Sequence, residues 1–313
     1  MASANANLHK AKNAKNDEFY TQLTDVSKEM MHYKEHFKDK IVFCNCDDPA
    51  WSAFWEYFHL NFTELGLKKL ISTHYDKTKP TYKMEYSGGD DNDIKAGVKT
   101  PLEGNGDFRN KECLDLLDEC DIVVTNPPFS LFREYVACLM EHEKKFIILG
   151  NMNALTYKEI FPLFQNNTLW YGASIHSGDR KFYVPDSYPL EATGCGIDED
   201  GKRFIKVKGV RWFTNMDYVA RHEKLTLWKS YLSDEYPKYD DYDVINVNKY
   251  SEIPMDYNGI MGVPITFMDF YCPEQFEILG IANSARWIGY ECYTILNGHK
   301  VYNRILIRKK VGT

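Results

Sequence analysis

No apolar run in this chain approaches the roughly 20 residues that a membrane-spanning helix needs, so a membrane protein built of such helices is excluded. The stretch from Met1 to Lys15 is rich in Ala, Asn and Lys and lacks the apolar core of a signal peptide. Positive charge is in short supply: 38 Lys and Arg stand against 45 Asp and Glu, giving a net charge of −7 and a pI near 5.8. A uniformly basic coat for a polyanion is thereby excluded, and any such partner must be gripped by local patches. The eight cysteines are scattered. Cys44 and Cys46 stand one residue apart, and neither a Cys-x-x-Cys pair nor a Cys/His array follows. No metal is expected from that pattern, and the compartment it suits is reduced and cytoplasmic. There is no internal repeat, no low-complexity tract, and no convincing pair of acids with a following lysine, which argues against a nuclease.

What is present suffices for a sizeable core. Of 313 residues, 44% are hydrophobic and 15% aromatic, enough for one large or two ordinary domains. β-branched and aromatic runs predict strands over residues 40–45, 67–73, 122–125 and 145–150. Apolar residues at helical spacing predict helices over 24–37, from about Pro49, over 111–120 and over 131–141. Trp51, Phe54, Trp55 and Phe58 share that spacing and are expected in the core. The alternating order predicts an α/β protein with a parallel sheet. Residues 77–104 are turn-rich and read as a β-hairpin excursion or a loop. Beyond Arg221 the chain becomes Tyr-rich and less periodic and ends on a basic strand over 301–310, which predicts a smaller α+β region.

The other elements are organised around residues 121–129, Asp-Ile-Val-Val-Thr-Asn-Pro-Pro-Phe. A short buried strand stops at once on Pro127 and Pro128, which cannot continue its hydrogen-bond ladder. Asn126 therefore falls at the carboxyl end of a strand, where open α/β sheets place their ligands. The two prolines set their own φ and restrict the residue before them. The Asn126 amide and the Pro127 carbonyl then form a rigid pair of acceptors beside the aromatic ring of Phe129. Two acceptors and a plate suit a planar ring that carries an exocyclic amino group. A tight turn after a strand is the alternative.

Other strand ends offer carboxylates. The first strand runs into Cys46-Asp47-Asp48-Pro49, with none of the glycines that usually let backbone approach a nucleotide-like cofactor. Asp47 and Asp48 suit an ammonium group or a ribose hydroxyl, or else serve the dipole of the following helix. Asp76, after the second strand, is a further ribose candidate. Residues 201–215 interleave Phe204, Val207 and Val210 with Lys202, Arg203, Lys206, Lys208 and Arg211, as a phosphate-gripping strand or a lysine-protected edge strand would. Arg286, Lys300, Arg304 and Arg308 are candidate phosphate or base contacts.

The Asn-Pro-Pro-Phe constellation resembles the motif of amino methyltransferases that use S-adenosyl-L-methionine. Taken with Asp-Glu-Phe-Tyr-Thr at 17–21, Cys-Asn-Cys-Asp-Asp-Pro at 44–49 and Trp-Phe-Thr-Asn at 212–215, it resembles the EcoRI-type adenine-specific DNA methyltransferase family, over residues 9–215 and more loosely beyond. The glycine-free first turn departs from methyltransferases at large and is similar to this family's own version. The resemblance implies a Rossmann-like sheet with helices on both faces and an N6-adenine transfer to duplex DNA with base flipping. Asn126 and the Pro127 carbonyl would accept from the target NH₂, Phe129 would stack on the base, and Phe213 would be a second plate. Tyr20 and Thr21 would meet the methionine end of the cofactor, Asp107 its adenine amino group, and Phe108 the adenine ring. The plain alternatives are an N-cap at Asp17 and a turn at Asp107. The implied organisation is a polar tail over 1–16, a catalytic domain over 17–215 and a target-recognition region over 216–313. The implied setting is a monomer that acts as the modification half of a restriction-modification system, paired in function with an endonuclease without a stable complex. Rival readings are the same transfer to RNA or a protein side chain, and a silent DNA-binding relative.

Overall fold

The computed structural model describes residues 19–77, 81–186, 188–190, 193–282 and 292–310. The tail over 1–16, Asp17, Glu18 and Arg286 lie outside the described residues. The chain divides into two units. One comprises the described residues up to Ala154 together with Gly172–Met216; the other comprises Leu155–Tyr171 and the residues from Asp217 onward. Residues 155–171 thus join the second unit, although the sequence groups them with the catalytic domain.

The first unit contains β1 (Ile41–Asn45), β2 (Lys69–Thr73), β3 (Tyr82–Tyr86), β4 (Val98–Pro101), β5 (Ile122–Thr125) and β6 (Lys145–Asn151). After β7 (Trp170–Tyr171), which falls in the second unit, come β8 (Arg180–Tyr183), β9 (Cys195–Ile197), β10 (Arg203–Val207) and β11 (Val210–Thr214). Its central sheet has the order β4-β3-β2-β1-β5-β6-β11. β2, β1, β5 and β6 are mutually parallel, so their carboxyl ends share one edge. The fold is α/β and Rossmann-like. These four strands are almost continuously apolar and buried, as strands covered on both faces must be. Within the 77–104 excursion, β3 and β4 pair as a hairpin, with β3 antiparallel to β2.

The helix α1 (Leu23–Met30) precedes β1, and the helices α2 (Ala53–Leu60), α3 (Phe62–Leu65), α4 (Lys111–Glu119) and α5 (Phe132–Glu141) separate the strands. Ser52 caps α2, its Oγ accepting from the amides of Phe54 (3.2 Å) and Trp55 (3.3 Å). The cap corrects one expectation. Trp51 precedes it, lies off the helix and is 72% exposed, whereas Phe54, Trp55 and Phe58 are buried. A second correction concerns residues 201–215, which form two strands rather than one. A turn at Lys208-Gly209 separates β10, in a three-stranded antiparallel sheet of order β8-β10-β9, from β11 in the central sheet.

The second unit contains α6 (Phe161–Gln165), β12 (Val244–Asn246), β13 (Ile260–Pro264), β14 (Phe276–Ala282), β15 (Ile295–Leu296), β16 (His299–Lys300) and β17 (Arg304–Lys309). Its main sheet has the order β12-β13-β17-β14. Arg304 is buried, with Nε on Asn246 Oδ1 at 3.3 Å, and Arg308 donates to Glu277 at 2.8 Å, so both serve the fold of this sheet. Lys300 is exposed. No helix among the described residues is long and apolar enough to cross a membrane.

Candidate active site

The carboxyl edge of the parallel strands carries Asn45 to Asp47 after β1, His74 after β2 and Asn126 after β5. Strong local ties hold these ends together. Thr125 Oγ1 donates to the Asn45 carbonyl, and the Tyr135 hydroxyl, on α5, donates to Asn45 Oδ1. The Cys46 amide donates to the Thr73 carbonyl at 3.0 Å. Cys46 takes a φ of 103°, a region that L-residues rarely enter. This turn therefore reaches the geometry that glycine usually supplies, at a cost of about 1–3 kcal/mol for a non-glycine residue. The thiol of Cys44 is pushed up by burial, with the nearby Asp47 adding to the effect, so it stays protonated and unreactive.

Asn126 is buried at 6% exposure and Pro127 is buried beside it, while Pro128 and Phe129 are half-buried. Asn126 Nδ2 donates to the main-chain carbonyl of Phe19 at 2.5 Å. A carbonyl oxygen only accepts, so this contact dictates which end of the amide faces it. The other end, Asn126 Oδ1, is buried and has no hydrogen-bond partner among the described residues. A buried polar atom left without a partner costs about 1–3 kcal/mol and is rare in a folded protein.

The carbonyl belongs to a strap, residues 19–21, laid against this edge. Phe19 is buried, and its ring meets Phe129 edge to face at 6.0 Å, with Phe182 and Tyr188 as further neighbours at 5.9 and 6.2 Å. Tyr20 and Tyr183 exchange both main-chain hydrogen bonds, at 2.9 and 3.0 Å, which ties the strap to β8. On β8 the Tyr183 hydroxyl and Lys181 Nζ both donate to Asp198 at 2.9 Å. Thr21 is buried at 5% exposure, and its Oγ1 has no hydrogen-bond partner among the described residues. Two of the side chains named from sequence thus present unsatisfied oxygens.

Asp47 is buried after the Cys46 turn. Asp48 is already engaged: it accepts from the Tyr82 hydroxyl at 2.6 Å and the Ala50 amide at 2.9 Å, and His74 Nε2 lies 3.6 Å away. The loop carrying Asp107 lies on the end of β2, where the Asp76 amide donates to the Asn105 carbonyl at 3.0 Å. Gly106, at φ 74°, makes this approach possible, because a Cβ there would stand 1.9 Å from the His74 carbonyl oxygen. Arg109 grips Asp107 through Nε at 2.9 Å and Nη2 at 2.7 Å and holds its carboxyl below the usual range, keeping it an ionised acceptor. Phe108 is buried with its ring 5.0 Å from that of Tyr135.

Phe213 does not fit the role of a second plate. β11 runs antiparallel to β6, pairing Val210 with Asn151 and Phe213 with Ile148. The strand begins at the carboxyl edge of the parallel strands and leads away from it, so Phe213 sits in mid-sheet. Its ring is fully buried, 4.8 Å from that of Phe132, and the two close over Gly150. A ring with no exposed face cannot receive a base. Likewise Arg211 is buried, donating to the Val210 and His176 carbonyls at 2.8 and 2.6 Å, whereas Lys202, Lys206 and Lys208 are exposed. Sequence reasoning quoted Phe19 and Asn45 within their motifs but gave neither a part of its own, because the Phe19 carbonyl and the Asn45 carbonyl and amide act as partners that no side-chain pattern announces.

The class defined by this edge is an α/β methyltransferase with an Asn-Pro-Pro-Phe site. A family profile described as "Adenine-specific methyltransferase EcoRI" matches residues 7–310. The chain is similar to the Type II methyltransferase M.EcoRI of Escherichia coli, at 45% identity over 98% of each chain. It is also similar to M.MpnI of Mycoplasma pneumoniae (41% identity, 87% of this chain and 84% of that one) and M.MgeORF184P of Mycoplasma genitalium (37%, 97% and 98%). The chain belongs to the EcoRI family of adenine-specific methyltransferases, enzymes that use S-adenosyl-L-methionine.

Proposed function

We propose that this protein methylates N6 of adenine in duplex DNA, as the modification component of a restriction-modification system. The observation that carries the reading is the buried Oδ1 of Asn126, which has no hydrogen-bond partner among the described residues. In this reading Oδ1 and the Pro127 carbonyl accept the two hydrogens of the target amine at about 2.9 Å. Accepting both draws the nitrogen lone pair out of conjugation with the ring and turns it toward the methyl donor. The half-buried Phe129 supplies the stacking face for a base extruded from the duplex. Positioning and electrostatics then do the catalytic work of the chain.

The residues present fit the cofactor. An unsatisfied hydroxyl at Thr21 and a buried acid at Asp47 suit the polar methionine end. Tyr20, Thr21 and Asp47 would hold that end, Asp107 and Phe108 the adenine, and Asp48 or Asp76 the ribose. When bound, S-adenosyl-L-methionine supplies an electrophilic methyl on a sulfonium. The exposed lysines 202, 206 and 208 would add salt-dependent contacts to phosphate. Residues 216–313 would read the target sequence. The protein would act as a cytoplasmic monomer, linked to an endonuclease only in function.

The test is methyl transfer from labelled cofactor to genomic DNA of a host without adenine methylation, followed by sequencing of modified adenines. Asn126→Ala should abolish transfer while cofactor binding by calorimetry persists. Wild-type-like turnover in that variant would reject the role.

A further inference from the structure

Asn126 presents its acceptor only because its other end is occupied. Free to turn, the amide has two orientations, and one of them would point an NH₂ at the incoming amine, donor against donor. The Phe19 carbonyl at 2.5 Å removes that orientation. The same residue packs its ring against the edge of Phe129, with ring planes 83° apart, so one residue touches both the acceptor and the plate. Its place is set from outside the central sheet, by the paired main-chain bonds between Tyr20 and Tyr183 of β8.

We infer that Phe19 is a positioning residue for methyl transfer: its carbonyl sets the orientation of the catalytic amide, and its ring, packed among Phe129, Phe182 and Tyr188, holds that carbonyl in place. The inference rests on the role of Asn126 proposed above. It assigns to the three-stranded sheet, remote in sequence from the catalytic strand, the task of holding the amide in its accepting orientation.

The test is a double-mutant cycle in the full-length protein with genomic DNA lacking adenine methylation, enzyme in excess over target sites. Phe19→Leu shortens the ring and loosens the strap, and Phe19→Met is a milder second variant. Asn126→Asp keeps an acceptor at the site but cannot donate to the Phe19 carbonyl. Phe19→Leu should lower the single-turnover rate at least tenfold in the wild-type background and less than twofold in the Asn126→Asp background. Cofactor affinity by calorimetry should change by less than threefold, which also establishes that the variant is folded, and in a separate multiple-turnover assay KM for DNA should stay nearly constant while kcat falls. Phe19→Met should follow with a smaller loss and the same dependence on Asn126. An equal loss in both backgrounds would reduce Phe19 to a packing residue and overturn the inference. Wild-type-like transfer by Asn126→Ala, which leaves no side-chain acceptor at the site, would instead overturn the role of Asn126 itself.

Discussion

Two buried polar groups of the first unit teach opposite lessons. Glu29, on α1, is completely buried, yet its carboxylate accepts from the Tyr33 hydroxyl at 2.9 Å and from the amides of Ala173 and Ser174 at 2.8 Å each. Asn126 is almost as buried, yet one of its two polar ends has no partner among the described residues. A satisfied buried charge organises structure, because each donor around it would be stranded by its loss. An unsatisfied buried acceptor does the reverse. It detracts from stability, and in the function proposed above its donor arrives with the substrate.

That contrast can be broken from either side. The largest effect is expected at Asn126. Its replacement by Ala should lower the methyl-transfer rate by at least about 100-fold, the scale for losing an aimed hydrogen-bonding group. The urea midpoint of that variant should stay close to wild type, and a marked drop in the midpoint would mean that the amide was structural after all. Glu29→Ala should behave in the opposite sense. It strands three donors and should cost about 3 kcal/mol in urea unfolding. The molecules that remain folded should transfer methyl groups at a normal rate, so a stable but inactive Glu29→Ala protein would contradict the division.

Gly106→Ala sharpens the contrast on the cofactor side. The added methyl meets the His74 carbonyl, which belongs to backbone and cannot swing away. Displacing the Asp107 loop should cost about 1–3 kcal/mol, seen mainly as a tenfold or greater rise in the cofactor Kd. An unchanged Kd would remove Asp107 and Phe108 from the cofactor site.

The smallest effect belongs to a polar cluster that water can reach. In the second unit, His222 donates to Glu274 at 2.9 Å and Asp217 at 2.8 Å, and hydrogen bonds to these carboxylates, Glu274 first, raise its pKa. A group whose pKa is raised on folding contributes its stability fully below the unfolded value, near 6.5, and loses it as pH climbs through the folded value. The imidazole is 40% exposed, so screening holds the gain below about 1 kcal/mol. His222→Gln should lower the thermal midpoint slightly at pH 6 and not at pH 8. A difference that grew toward pH 8 would contradict the assignment.

Much of the site was legible in one dimension because its chemistry is compressed into neighbours. A β-branched run followed by two prolines can only end a strand, which places Asn126, Pro127 and Phe129 at a sheet edge from local rules. The alternation of strands and helices foretold the parallel sheet for the same reason. Phe213 failed because its resemblance-based role needed β11 to end at the catalytic edge, and strand direction is set by pairing with β6, not by the residues of β11. Trp51 failed by one residue, since the periodicity ran past a serine whose hydroxyl starts the helix.

The amino-acid sequence by itself determined that Asn126, Pro127 and Phe129 stand together at the end of a strand, since backbone stereochemistry at paired prolines is a local property. Only the tertiary structure decided which way the amide turns. Its partner is a main-chain carbonyl 107 positions away, a group every residue possesses and no side chain announces, and contact over that span exists only once the chain has folded.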